Sequence, residues 1–140
     1  MMMKEILIAY DGSDSARAAL DYSCELAKKF GSHIHVIAVC QPPEFGGEVE
    51  LQDVVKKTQA HFNSMLKHLK NHHSELGSDT KFRVVTGHPA EQLLRYADGN
   101  QIDHIVLGHR GYSLFERWLL GSVARQVIDH ARCPVTVIRQ

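Results

Sequence analysis

Ile6-Leu7-Ile8-Ala9-Tyr10-Asp11-Gly12-Ser13 reads as a strand that enters a turn without meeting a polar residue on the way. A half-exposed strand would alternate apolar with polar, so an unbroken apolar run fits a strand covered on both faces. Beyond the turn, Ala16, Ala19, Leu20, Ser23, Leu26, Ala27 and Phe30 recur at helical spacing. Ser13 or Asp14 is placed to cap that helix, and Gly31 to stop it. The chain therefore begins with a strand–helix unit of the kind that builds parallel sheets.

The same alternation continues outward. Residues 34–39 form a second apolar run, and Pro42-Pro43 with Gly46-Gly47 mark a loop. A long helix is expected over residues 48–76, with Leu51, Val54, Val55, Phe62, Met65, Leu66, Leu69 and Leu76 as its core stripe. Residues 82–86 make a third strand. Gly87-His88-Pro89 then opens a helix that Gly99 closes. Residues 102–107 read as a fourth strand. Gly121-Ser122 opens a last helix carrying Val123, Ala124, Val127, Ile128 and Ala131, and Val135-Thr136-Val137-Ile138 is a fifth strand after Pro134. Strands alternating with helices, right-handed crossovers and one reversal of direction give a single α/β domain over residues 1–140. It is a doubly wound, open five-stranded parallel sheet in the order 3-2-1-4-5, with helices on both faces.

Composition narrows the function classes. At 140 residues the chain fits one domain and buries roughly two-thirds of its unfolded surface, enough for a core without staples. Sixteen basic residues balance sixteen acidic ones, so nothing favours a nucleic acid or an anionic membrane as partner. Ten histidines would make the protein cationic in mild acid. Cys24, Cys40 and Cys133 are odd in number and far apart, the pattern of reduced thiols rather than of a disulfide framework or a zinc site. The first apolar run is too short for a signal or a span, and a cytoplasmic setting is the expectation.

In open parallel sheets, ligands sit beyond the carboxyl ends of the strands where the order reverses. There the sequence places Asp11-Gly12-Ser13 and Gly108-His109-Arg110-Gly111. With Gly121-Ser122 the spacing becomes G-x2-G-x9-G-S. Glycines let backbone approach a ligand closely, and the free N–H groups of a helix start attract phosphate. The Ser122 hydroxyl can donate to a phosphate oxygen or support a metal ion, and Arg110, Arg117 or His109 can add charge. Other nucleotide signatures are missing: there is no G-x-x-x-x-G-K-[ST] and no G-x-G-x-x-G. Gly108-His109-Arg110-Gly111 imitates the G-x-x-G clamp of KH domains, but it follows a buried strand in a chain without net positive charge.

These segments carry a resemblance. Ile8-Ala9-Tyr10-Asp11-Gly12-Ser13, Val106 to Gly111, Leu119-Leu120-Gly121-Ser122-Val123-Ala124 and His130 to Val137 together resemble the universal stress protein family, ATP-binding branch. The resemblance implies that backbone around Ala9 and Val39 holds adenine and that Asp11 lies near the ribose. It implies that Gly108 through Gly111, Arg110 included, wraps the ribose and first phosphate. Gly121, Ser122 and Val123 would take the outer phosphates, with Mg²⁺ carried by the ATP. It further implies a homodimer paired through the last strand. Ala9 stands where Pro is frequent in the family, and His109 where a small hydroxyl residue is frequent.

Two other constellations are weaker. His61, His68 and His72 share one flank of the long helix, and His68 with His72 has a metal-compatible i, i+4 spacing, yet no carboxylate or cysteine completes a set. Asp11, His109 and Glu116 are each conceivable bases, but none has a companion at a diagnostic spacing. The expected function is a nucleotide-dependent sensor or adaptor serving an unnamed protein partner in the stress response. The alternative is a slow ATPase or self-phosphorylating protein using the same site.

Overall fold

The structure, a computed structural model, describes residues 3–109 and 120–139. Its elements run β1 (Glu5–Ala9), α1 (Asp14–Phe30), β2 (His33–Cys40), α2 (Glu48–His72), β3 (Lys81–Thr86), α3 (Pro89–Gly99), β4 (His104–Gly108), α4 (Ser122–His130) and β5 (Val135–Ile138). All pairings are parallel, and the sheet order is β3-β2-β1-β4-β5, as expected from the alternation.

Side chains alternate across each strand, so the sheet builds two cores. Ile6, Ile8, Tyr10, Val36, Ala38 and Val106 meet Ala19, Leu20 and Cys24 of α1 and Leu66 and Leu69 of α2. On the opposite face Leu7, Ile37, Ile105 and Leu107 meet Leu93 and Tyr96 of α3 and Ala124 and Val127 of α4. Leu7 and Ile105 are fully buried, and truncating either to Ala costs about 2–5 kcal/mol. The helix leaving β1 thus covers one face and the helix leading from β4 to β5 covers the other. The order therefore reverses between β1 and β4, and the carboxyl ends of these strands form the switch point at which open parallel sheets bind ligands.

Several local expectations are revised. α2 ends at His72 rather than near residue 76, although Leu76 still packs on the α1–α2 core. Its upper stripe is not core: Val54 is exposed and Leu51 and Val55 only half-buried. A helix of 25 residues is about 37 Å long, whereas the eight-residue β2 spans about 26 Å, so part of α2 overhangs the sheet. Phe30 and Ile128 are likewise exposed, Phe30 because it is the last residue of α1. The fourth strand starts at His104 instead of 102, because Ile102 N–H still bonds Ala97 C=O and Asp103 folds back on β1. Gly99 remains helical, and the left-handed turn after α3 falls to Gln101 at φ 56°.

The amino ends of the strands are closed by polar side chains. The Asp103 carboxylate accepts N–H bonds from Lys4 (2.8 Å) and Glu5 (3.2 Å). Glu5 accepts from His33 Nδ1 at 2.8 Å and from the buried His35 Nε2 at 3.1 Å, while the Tyr96 hydroxyl lies 2.7 Å from His35 Nδ1. His33 Nε2 also faces the Asp79 carboxylate at 3.2 Å. Desolvation pushes the Glu5 carboxyl up, but bonds from His35 and His33 and the charge beside it outweigh that, leaving it below its ordinary 4.5. A carboxyl with a depressed folded pKa stabilises the protein above its unfolded value, and the gain is lost as pH falls through the folded one. Glu5→Gln should therefore lower the thermal midpoint near neutral pH, with the gap to wild type closing as the pH falls below the ordinary carboxylate range and the Glu5 carboxylate is protonated in the folded protein. A gap independent of pH in circular-dichroism melts would show that the Glu5 charge does not stabilise the fold.

Candidate functional site

The carboxyl end of β1 turns sharply. Tyr10 N–H still bonds Ile37 C=O at 2.9 Å, and then Asp11 Oδ1 accepts the Ser13 N–H at 2.9 Å. This Asx turn leaves the second carboxylate oxygen of the half-buried Asp11 outside that bond. Gly12 takes φ 81°, a conformation L side chains resist, so a glycine is required there. Ser13 Oγ accepts the Ala16 N–H at 3.2 Å, which caps α1 and starts it at once.

β4 ends directly under that first helical turn. A Cβ on Gly108 would lie 2.6 Å from Ser15 Oγ and 2.7 Å from Ser15 C and Cβ, so helix and strand touch with no room for a side chain. Gly108→Ala should thus force α1 off the strand end, at a cost of about 1–3 kcal/mol. A shift in the thermal midpoint reads this directly, and an unchanged midpoint would mean that the contact yields freely.

His109 follows, nearly fully buried, with Nδ1 3.3 Å from Ser15 Oγ. Its N–H donates to Ile138 C=O of β5 at 3.0 Å, and its C=O accepts the Gly121 N–H at 2.7 Å. The chain therefore leaves the sheet at His109 and returns bonded to the same residue. Gly121 is the N-cap of α4 at φ −61°, ψ 152°, and the first intrahelical bond runs from Arg125 N–H to its C=O. No side chain caps α4 among the described residues, so the N–H groups of Ser122, Val123 and Ala124 remain as its donors. The Gly121 N–H is already committed; its part at the helix start is room rather than donation.

Beside this helix start lies an apolar wall. Ala9, Val39 and Val123 are half-buried and pack against the core under α3 and α4, together with Val85 and Leu120. Val123, in the first turn of α4, thus joins this apolar group to the backbone donors and the exposed Ser122 at the helix start. Such a surface takes a flat apolar ring at one end and an anion at the other.

Of the site residues expected from sequence, Ala9, Asp11, Val39, Gly108, Gly121, Ser122 and Val123 lie on the carboxyl edge of the sheet or at the adjoining helix start. Arg110 and Gly111 fall outside the described residues, as do Glu116 and Arg117. The structure adds Ser15, whose close approach to the Gly108–His109 backbone depends on a contact between elements 94 positions apart. His61, His68 and His72 are exposed; His68 and His72 stack at 4.2 Å, and His72 Nδ1 donates to the His68 carbonyl at 3.0 Å. Among the described residues no three His, Cys, Asp or Glu side chains are grouped to hold a metal ion. Cys24 and Cys40 are buried and Cys133 half-buried, with no disulfide among them. Burial pushes the Cys24 thiol up to about 11, which makes it an inert packing residue. No helix among the described residues is long and apolar enough to cross a membrane.

Comparison with known proteins places this geometry in context. The profile of the universal stress protein family matches residues 2–139. A universal stress protein of Methanocaldococcus jannaschii is 32% identical over 142 residues, covering 99% of this chain and 84% of the relative. Among solved structures, universal stress protein UspA from Lactobacillus plantarum superposes with a TM-score of 0.89 at 26% identity, covering 99% of each chain. The universal stress protein from Archaeoglobus fulgidus, solved in complex with dAMP, superposes with a TM-score of 0.63 at 25% identity, covering 99% of this chain and 100% of that one.

Proposed function

The chain belongs to the universal stress protein family, and from that premise we propose that it binds ATP in the crevice between the carboxyl ends of β1 and β4. The observation that carries the reading is the uncapped start of α4 beside the half-buried wall of Ala9, Val39 and Val123. Adenine lies against that wall, the ribose reaches Asp11, and the outer phosphates meet the N–H groups of Ser122 and Val123. The family resemblance assigns the ribose and first phosphate to Gly108, at the end of β4, and to Arg110 and Gly111, which lie outside the described residues. The dAMP held by the Archaeoglobus fulgidus protein supports an adenine nucleotide as the ligand class.

Mg²⁺ enters with the nucleotide. The protein offers Ser122 Oγ and one Asp11 oxygen near the crevice and no dedicated cage among the described residues. That donor set suits a hard cation held mainly by phosphate oxygens and water. ATP occupancy then changes the surface that an adaptor or sensor presents to a protein partner in the cytoplasm, and two copies pair through β5.

Denaturing the purified protein and weighing the released small molecules tests the ligand. Co-purified ATP supports a stable binder, and ADP or AMP supports turnover. A protein that carries no adenine nucleotide and shows no heat of binding with ATP removes the reading. Catalysis is expected to be slow, because phosphoryl transfer to water needs a positioned base. Among the described candidates, Asp11 has one oxygen bonded to Ser13 N–H and His109 Nδ1 lies against Ser15. Hydrolysis approaching the typical enzyme rate of about ten per second in a preparation free of other ATPases would refute this.

A further inference from the structure

A buried imidazole on a strand end is costly unless its nitrogens are satisfied, a cost that an apolar side chain would not carry. His109 is 4% exposed, and its Nδ1 faces the hydroxyl of Ser15, in the first turn of α1. The same turn fills the space where a Gly108 Cβ would project, which brings α1 against the β4 backbone. The His109 backbone joins the other two walls, giving its N–H to Ile138 of β5 and taking the Gly121 N–H at the start of α4. One residue thus ties together the two helix starts that border the crevice and the sheet between them.

We propose that His109 is the positioning residue of the nucleotide site, its ring clasping Ser15 so that the α1 and α4 helix starts keep the separation a nucleotide requires. This rests on the nucleotide reading above and adds to it a part for the imidazole that needs no contact with the ligand. The ring bond fixes α1 relative to β4, and the backbone bond fixes α4 relative to β4. Loss of the ring bond frees one wall of the crevice while the other stays in place. Such a change raises the entropy that ligand binding must remove, and affinity falls although no ligand contact has been deleted.

The test uses the full chain and ATP as the probe, with calorimetric affinity and thermal midpoint measured on each variant. His109→Phe keeps an aromatic ring, slightly larger than the imidazole, and removes the ring nitrogen that faces Ser15. Ser15→Ala removes the partner from the other side. His109→Asn keeps a polar atom near the Nδ1 position. His109→Phe and Ser15→Ala should each weaken ATP binding about three- to tenfold, the effect of one lost hydrogen bond. The double variant should be no weaker than the worse single one, and His109→Asn should restore most of the affinity. A purely structural role would lower the thermal midpoint and leave the affinity of the folded protein unchanged. If wild type binds ATP and both single variants bind it equally well, or if their losses simply add, the clasp is wrong and the nucleotide reading stands. If wild type binds no adenine nucleotide, the nucleotide reading and the role given to His109 fall together.

Discussion

Gly121→Val should abolish ATP binding, lowering affinity by at least about a hundredfold, while the protein keeps its fold. Gly121 sits at φ −61°, ψ 152°, extended backbone that any residue adopts, so the substitution brings no backbone strain. Its N–H can still bond the His109 carbonyl, because a side chain does not remove that donor. The change falls instead on the opening of α4, where the N–H groups of Ser122 and Val123 are the proposed phosphate donors. A branched side chain there takes up space that phosphate oxygens need, and it also cannot cap the helix. The cost to folding is confined to the poorer cap, about 1 kcal/mol, so the thermal midpoint moves by a few degrees. Gly121→Ser is the graded control, since its small hydroxyl side chain is a good cap and should weaken binding far less. Calorimetry showing wild-type affinity in a folded Gly121→Val protein would remove the phosphate site from the α4 start.

The contrast between what was and was not legible in the sequence follows from which contacts are local. β1 announced itself because a strand buried on both faces leaves an unbroken apolar run, and Gly12 and Ser13 marked its exit by turn and cap chemistry. Given five such units, chain-crossing rules left few sheet orders, and the observed order is the expected one. The start of α4 was legible for the same reason, since Gly121-Ser122 signals a helix opening without reference to the rest of the molecule. By contrast, the long apolar pattern of α2 overstated its core. Periodicity reports which face is apolar but not where the sheet ends, so Val54 reads like Leu66 although only Leu66 is buried. The Ser15 contact was invisible for a related reason. The spacing reads Gly108 as a ligand glycine, and the structure adds a second requirement, because α1 occupies its side-chain space. A glycine required by packing and one required by a ligand have the same letter, and only the neighbour distinguishes them.

Val137→Pro should convert a dimer into a monomer with ATP binding largely retained. Among the described residues β5 pairs only with β4, so none of them covers its other edge. The bonds Ile105 N–H to Pro134 C=O and His109 N–H to Ile138 C=O show which residues of β5 turn inward. By alternation, Val135 and Val137 direct their N–H and C=O groups outward. Unpaired groups on a β-branched edge invite a second strand, and proteins that stay monomeric usually blunt such an edge with a charge, a bulge or a proline inside it. Here Pro134 precedes the strand and Arg139 follows it, and the four residues between them include no charge and no proline. We infer that a second copy supplies the missing strand, running antiparallel about a two-fold axis. Proline at 137 removes an outward donor and leaves the inward bonds of β5 to β4, so it should cost the dimer far more than the fold. Val137→Lys should act in the same direction by bringing two like charges together across the axis. Because the proposed nucleotide crevice is built from one chain, neither substitution should change ATP affinity by more than a few-fold. Sedimentation of the wild type as a monomer at tens of micromolar, or unchanged mass in both variants, would exclude pairing through this edge.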